Sequence, residues 1–135
     1  MRITLTRRGD YAVRAMYDIA AAYPARRKTA EIAAAMEIPR TFLSRVLAGL
    51  ASSGLLDAVA GPSGGYALSR PPAAITLLDV VEAVEGKLEL TRCILRGGPC
   101  TWEDRCVIHD TWVAAQSSFA ERLAATSLES LVGGE

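Results

Sequence analysis

The chain has 135 residues, half of them hydrophobic and 22% charged, which is enough apolar material for one compact domain with an added helix and too little for two full domains. Fifteen Lys and Arg balance fifteen Asp and Glu, so disorder driven by charge excess is excluded. The balance is uneven along the chain. Up to Ile75 ten basic residues face five acidic ones (+5), and from Thr76 five face ten (−5), the asymmetry expected of a polyanion-binding module joined to a segment with another task. No apolar run approaches the roughly 20 residues that cross a bilayer, and MRITLTRRGD lacks the apolar segment of a secretory signal. The expectation is a cytoplasmic protein with no membrane partner and with its thiols kept reduced.

From Asp10 to Tyr23, Tyr11, Ala15, Ile19 and Ala22 recur at helical spacing, widened by Val13, Met16 and Tyr17, until Pro24 stops the helix. Beyond the basic turn Arg26, Arg27, Lys28, the spacing predicts a short helix capped by Thr29, with Ile32, Ala33 and Met36 on one face and its end at Glu37, Ile38 and Pro39. Pro39 suits the start of a longer helix, in which Phe42, Leu43, Val46, Leu47 and Leu50 keep a 3.6-residue period as far as Ser52, Ser53 and Gly54. Leu55 to Val59 and Tyr66 to Ser69, joined by the turn from Gly61 to Gly65, read as a small hairpin. After Pro71 and Pro72, Thr76 caps a helix with Leu77, Val80, Val81 and Val84 on its apolar face and Gly86 at its end.

Lys87 to Arg105 keeps no period and contains Gly97, Gly98 and Pro99, a loop of the length that usually serves a function. A last long helix is predicted from about Cys106 to Ala125. On it Ile108, Trp112, Ala115, Phe119 and Leu123 form a seam wide enough for another helix, and because so short a chain has no further element to cover it, the seam is expected to make a homodimer. Thr126 to Glu129 offers a capping box for a terminal helix ending near Val132.

Two helices joined by a tight turn and followed by a Gly-rich hairpin form a winged helix-turn-helix, in which the second helix enters the major groove of double-stranded DNA. The fold class is therefore mainly α with a small β-hairpin wing and a long C-terminal dimerisation helix. The start of the second helix supplies the candidate base readers Arg40, Thr41, Ser44 and Arg45: Arg can bond guanine bidentately, Thr can touch a thymine methyl, and Ser is permissive. Phe42 lies beside them. Arg7, Arg8 and Arg14 are candidate phosphate contacts, and Ser63, Gly64 and Tyr66 belong to the wing that lies along the backbone. The bland alternative is an ordinary wet face, against which stand the charge split and the wing together.

All three cysteines fall in one stretch: Cys93, Cys100 and Cys106 are separated by six and five residues, and His109 follows three beyond the last, on one face of the predicted helical turn. Four such ligands can hold zinc, although the tight pair of a zinc knuckle is missing. They can equally hold an iron–sulfur cluster, which is larger and suits wider spacing on a Gly- and Pro-containing loop, or they can be incidental thiols. With one His and no cleft-forming α/β pattern, no enzyme and no small-molecule substrate are expected.

LTRRGDYAVRAM at the start, GPSGGYALSRP in the wing, ITLLDVVEAVEG after it and the cysteine run ending CVIHDTW together resemble, over nearly the whole chain, the bacterial iron–sulfur winged-helix regulators of the IscR and NsrR type. The resemblance implies a homodimeric transcription regulator, residues 1–85 binding DNA and residues 86–135 supplying a cluster loop and a dimerisation helix. It implies a cluster on Cys93, Cys100 and Cys106, 2Fe–2S ahead of 4Fe–4S, sensing redox state, nitric oxide or iron–sulfur status; a zinc-stabilised or thiol-switch repressor is the alternative. In the IscR type the fourth ligand is a His three residues after the last Cys, which falls on His109. In the NsrR type it is an Asp near the start of the first helix, reaching across the dimer, which falls on Asp10. Two departures stand out: the loop between the first two cysteines is a residue longer than its commonest form, and position 60 is Ala60 where these regulators often carry a basic residue.

Overall fold

The structure, a computed structural model, describes residues 3–88, 102 and 105–134. Its first helix, α1 (Arg7–Ala22), starts earlier than the predicted Asp10, because Thr6 is the cap: Thr6 Oγ1 accepts from the Gly9 N–H at 3.2 Å, leaving Asp10 in the first turn. The face that α1 buries is also turned slightly from the predicted stripe. Ala12 joins Ala15, Met16 and Ile19 in full burial while Tyr17 stays 39% exposed, because α1 runs through the centre of the molecule and its small residues let neighbouring elements approach.

Helix α2 (Thr29–Met36) begins after Lys28 rather than after Thr29; Glu31 Oε1 accepts from the Lys28 N–H at 2.8 Å, so the carboxylate and not a threonine hydroxyl satisfies the first turn. The turn to α3 (Arg40–Ser52) holds Glu37 at φ 55, a left-handed conformation that costs a non-glycine residue about 1 kcal/mol. The conformation returns the chain sharply and puts Ile38 into the core. Leu43, Val46, Leu47 and Leu50 of α3 then close over α1 and Ile32 of α2.

The hairpin pairs β1 (Leu56–Val59) with β2 (Gly65–Leu68) antiparallel, Leu56 opposite Leu68 and Val59 opposite Gly65. Leu56 and Leu68 face the core, and the tip is exposed. Gly64 is required there, since a Cβ would stand 2.0 Å from the Val59 carbonyl oxygen. After a short 3-10 turn at Pro72–Ala74 comes α4 (Leu77–Glu85), started by a full capping box: Asp79 N donates to Thr76 Oγ1 and Thr76 N to Asp79 Oδ2. Val80 and Val81 are its buried residues.

Helix α5 (His109–Ala124) buries no residue within this chain. The terminal helix α6 (Leu128–Val132) is capped by Ser127, whose Oγ accepts from Ser130 N. It returns to the first part of the molecule. Leu128 is 1% exposed in the core beside α1, and two main-chain bonds, Leu77 N to Thr126 O at 2.8 Å and Leu128 N to Ile75 O at 2.9 Å, fasten the α5–α6 junction to the start of α4. The molecule is thus mainly helical with a two-stranded wing, as the sequence predicts. No helix among the described residues is long and apolar enough to cross a membrane.

Candidate nucleic-acid interface and metal centre

With Leu43, Val46, Leu47 and Leu50 turned inward, helical geometry leaves Arg40, Thr41, Ser44 and Arg45 together on the open side of α3, and all four are exposed. Ser44 Oγ donates to the Arg40 carbonyl at 3.1 Å, which orients the hydroxyl and keeps its lone pairs available. Neither Arg40 nor Arg45 makes an ion pair among the described residues. Phe42 is half-buried, its ring edge-on to Tyr11 with centroids 5.2 Å apart, so it fixes the start of α3 against α1. Arg7 and Arg8 are exposed and line, with Thr6, Phe42, Val84 and Glu85, an open cleft of about 430 Å³. At its rim Thr6 Oγ1 donates to Glu85 Oε1, joining the start of α1 to the end of α4.

Arg14, predicted among the phosphate contacts, is partly exposed and has its guanidinium engaged by groups of the protein itself. Nε and Nη2 donate to both carboxylate oxygens of Asp10, at 3.2 and 2.8 Å, and Nη1 donates to the Met36 carbonyl at 2.7 Å, closing the C-terminal end of α2. The group also lies 4.9 Å from the Tyr11 ring centroid. The hydrogen bond to Asp10, opposed by desolvation, raises the Arg14 pKa, so the charge persists at every pH below the ordinary arginine value.

In the wing, Ser63 is exposed at the tip, while Gly64 is buried and Tyr66 half-buried. Gly64 and Tyr66 therefore shape the wing more than they present it. Tyr66 exchanges two main-chain bonds with Arg27, and Gly65, at φ +130, has no room for a Cβ, which would meet the Arg27 carbonyl at 2.7 Å. Sequence reasoning missed Arg27. Its side chain reaches back to Asp18 of α1, Nε to Oδ1 at 2.8 Å and Nη2 to Oδ2 at 3.1 Å, and that hydrogen bonding raises the Arg27 pKa against desolvation. In a run of three bases nothing marks one as internal; the only cue was Asp18 on a helix whose neighbours Ala15 and Ile19 are core.

Of the predicted metal ligands, Cys106, His109 and Asp10 are described, and Cys93 and Cys100 lie outside the described residues. The predicted helical turn shared by Cys106 and His109 is corrected: α5 starts only at His109, and Cys106 stands in a non-helical turn before it because Ile108, at φ −112 and ψ −1, is the capping position. The two remain close in the chain's path, His109 N donating to the Cys106 carbonyl at 3.5 Å. Cys106 is a half-buried free thiol whose N–H donates to the Trp102 carbonyl at 2.7 Å, and Arg105 lies over the Trp102 ring. A thiol and an imidazole on one turn suit a thiolate-bound metal or cluster. Asp10 fits such a role less readily, both its oxygens being held by Arg14. Among the described residues no three His, Cys, Asp or Glu side chains gather into a metal site.

On the α5 seam, Ile108 is 37% and Phe119 44% exposed, Ala115 is exposed, and Trp112 and Leu123 are half-buried. Val113 beside them is also exposed.

Residues 5–134 match the model of the Rrf2 family, described as iron-dependent transcriptional regulators. The chain is 34% identical over 132 residues to the HTH-type transcriptional regulator IscR of Photorhabdus laumondii subsp. laumondii, covering 97% of this chain and 80% of that protein. It is 36% identical over 129 residues to a putative HTH-type transcriptional regulator, ORF2, of Azotobacter vinelandii, covering 95% and 78%. Among solved structures it resembles IscR of T. potens, with TM-score 0.79 and 26% identity over 98% of this chain and 88% of that one. The fold alone is shared with CymR, the global cysteine regulator of B. subtilis, at TM-score 0.83 and 23% identity over 99% of each chain. The chain belongs to the Rrf2 family, and it is a DNA-binding winged-helix transcriptional regulator, not an enzyme.

Proposed function

We propose that this regulator works as a homodimer whose affinity for specific DNA is set by an iron–sulfur cluster. The observation that carries the DNA reading is the open side of α3, where Arg40, Thr41, Ser44 and Arg45 are all exposed on a helix whose other side is core. Residues 1–85 then hold the DNA contacts, and residues 86–135 the cysteine segment and dimerisation helix, with α6 folded back to seal the first part. A second copy is the economical cover for Ile108, Trp112, Ala115, Phe119 and Leu123, since a helix with no buried residue contributes little to a monomer. Two copies present two recognition helices about one helical turn of DNA apart, roughly 34 Å, to a site of twofold symmetry.

Cys93, Cys100 and Cys106 would hold the cluster, with His109 in the fourth place. The names of the IscR relatives support this reading, and so do the Cys106 thiol and the His109 imidazole on one turn. When bound, such a group supplies a charged centre that responds to oxidants, nitric oxide or iron–sulfur supply. The residues around it transmit the change. Glu85, at the end of α4 from which the cysteine segment departs, contacts Thr6, so a shift of α4 reaches Arg7 and Arg8 at the start of α1. This assigns the protein to the cytoplasm, where DNA is found and thiols stay reduced.

Protein isolated without oxygen is expected to be coloured, to contain iron and acid-labile sulfide, and to bind a selected duplex with a different affinity once the metal is chelated. Colourless protein with one zinc per chain, indifferent to reconstitution with iron and sulfide, sinks the cluster reading and leaves the zinc-stabilised repressor. His109→Ala is expected to shift the absorption spectrum and make the colour labile. Asp10→Ala should leave the spectrum alone and cost only about 0.5 kcal/mol for a half-exposed ion pair with Arg14. The reverse pattern in the two spectra would mean that Asp10 leaves Arg14 to serve as a ligand, bridging two chains.

A further inference from the structure

The connection between α1 and α2 is bonded to the wing through one antiparallel bridge, Arg27 opposite Tyr66. Arg27 N donates to the Tyr66 carbonyl and Tyr66 N to the Arg27 carbonyl, both at 2.8 Å. Arg27 turns its guanidinium back onto Asp18, and Arg26 and Lys28 to either side of it are exposed. Arg26 reaches across the sheet, its Nη1 donating to the Asp57 carbonyl of β1 at 3.2 Å, so its charge lies over the hairpin. No carboxylate among the described residues forms an ion pair with Arg26 or Lys28, and the nearby Glu31 is held by the Lys28 N–H and by Arg27.

The hairpin from Leu56 to Ser69 contains no Lys or Arg and one acid, Asp57. A hairpin of that composition offers a phosphate backbone no side-chain cation. The two cations that flank the bridge reverse the sign of the hairpin and the connection taken together. We propose that the Arg26–Lys28 segment is the phosphate-binding edge of the wing, and that duplex DNA passing the wing is held by these two side chains and not by side chains of the hairpin. The placement of the duplex rests on the reading of α3 as the recognition helix.

The test measures binding of the full-length protein to a duplex selected by it from a randomised pool and to a random-sequence duplex, between about 50 and 200 mM salt. Arg26→Ala and Lys28→Ala are each expected to weaken both duplexes alike, by about three- to tenfold, and to make the dependence of log affinity on log salt shallower by about one unit for each phosphate no longer neutralised. Arg26→Lys should restore most of the loss, and the thermal midpoint should stay that of the parent because both side chains are exposed. Unchanged affinity and salt dependence in both alanine variants, or a loss confined to the selected duplex, overturns the assignment of this edge, provided Arg45→Ala still weakens the selected duplex. Parent protein that binds neither duplex overturns the reading of α3, and this assignment with it.

Discussion

Arg27→Ala is expected to lower the free energy of unfolding by about 2–3 kcal/mol, one of the largest losses available outside the apolar core. Asp18 is 6% exposed, and both of its carboxylate oxygens are bonded by Arg27, so removing the guanidinium leaves a buried charge without its partner. The reverse truncation should cost less. In Asp18→Ala the Arg27 side chain, about a quarter exposed, keeps Glu31 and reaches water. Truncating both should recover part of the loss of the first variant, because no unpaired carboxylate then remains in the interior. Urea denaturation followed by circular dichroism measures all three. A loss below about 0.5 kcal/mol for Arg27→Ala would show that Asp18 finds water or another donor.

Arg45→Ala is expected to weaken binding to a selected duplex by about 10- to 100-fold while changing random-sequence binding by a few-fold, because a bidentate contact to a base discriminates by about 1–3 kcal/mol and a phosphate contact does not discriminate at all. Arg45 is chosen from the exposed set because it is one turn into α3, past the start where Arg40 also neighbours the turn between the helices. Fluorescence anisotropy with both duplexes at one salt concentration gives the ratio directly. Equal weakening of the two would make Arg45 a phosphate contact and move the reading of bases to Thr41 and Ser44.

The architecture was legible where a periodic stripe met a strong breaker. Pro24, Pro39, the glycines from Gly61 to Gly65, and Gly86 punctuate the chain close to the observed ends of α1, α3, the hairpin and α4. Two of the misplaced helix starts, those of α1 and α6, share one cause. Thr6 and Ser127, both hydroxyl residues, cap α1 and α6, but each has a second polar candidate nearby, Asp10 or Thr126, and local composition does not decide between neighbours. The exposed face of α3 was legible because burial follows from period. What Arg14 and Arg27 do was not legible: Met36 and Asp18 are brought to them by tertiary packing, and an arginine bonded to its own protein looks, in sequence, like an arginine left free for DNA. The cysteine spacing predicts a site, and its first two members lie outside the described residues.

Because two main-chain bonds return the chain to Ile75 and Leu77, everything between Glu85 and Thr126 is an excursion that departs from one end of α4 and is tied down at the other, like a span with both footings on the same beam. The entropy of closing such a span grows only with the logarithm of its length, about 0.6 kcal/mol for each doubling. What holds the framework of α1, α4 and α6 is the anchor and not the span: a cut just before Leu128 removes a residue that is 1% exposed and opens the core from beneath. The final helix cannot be spared.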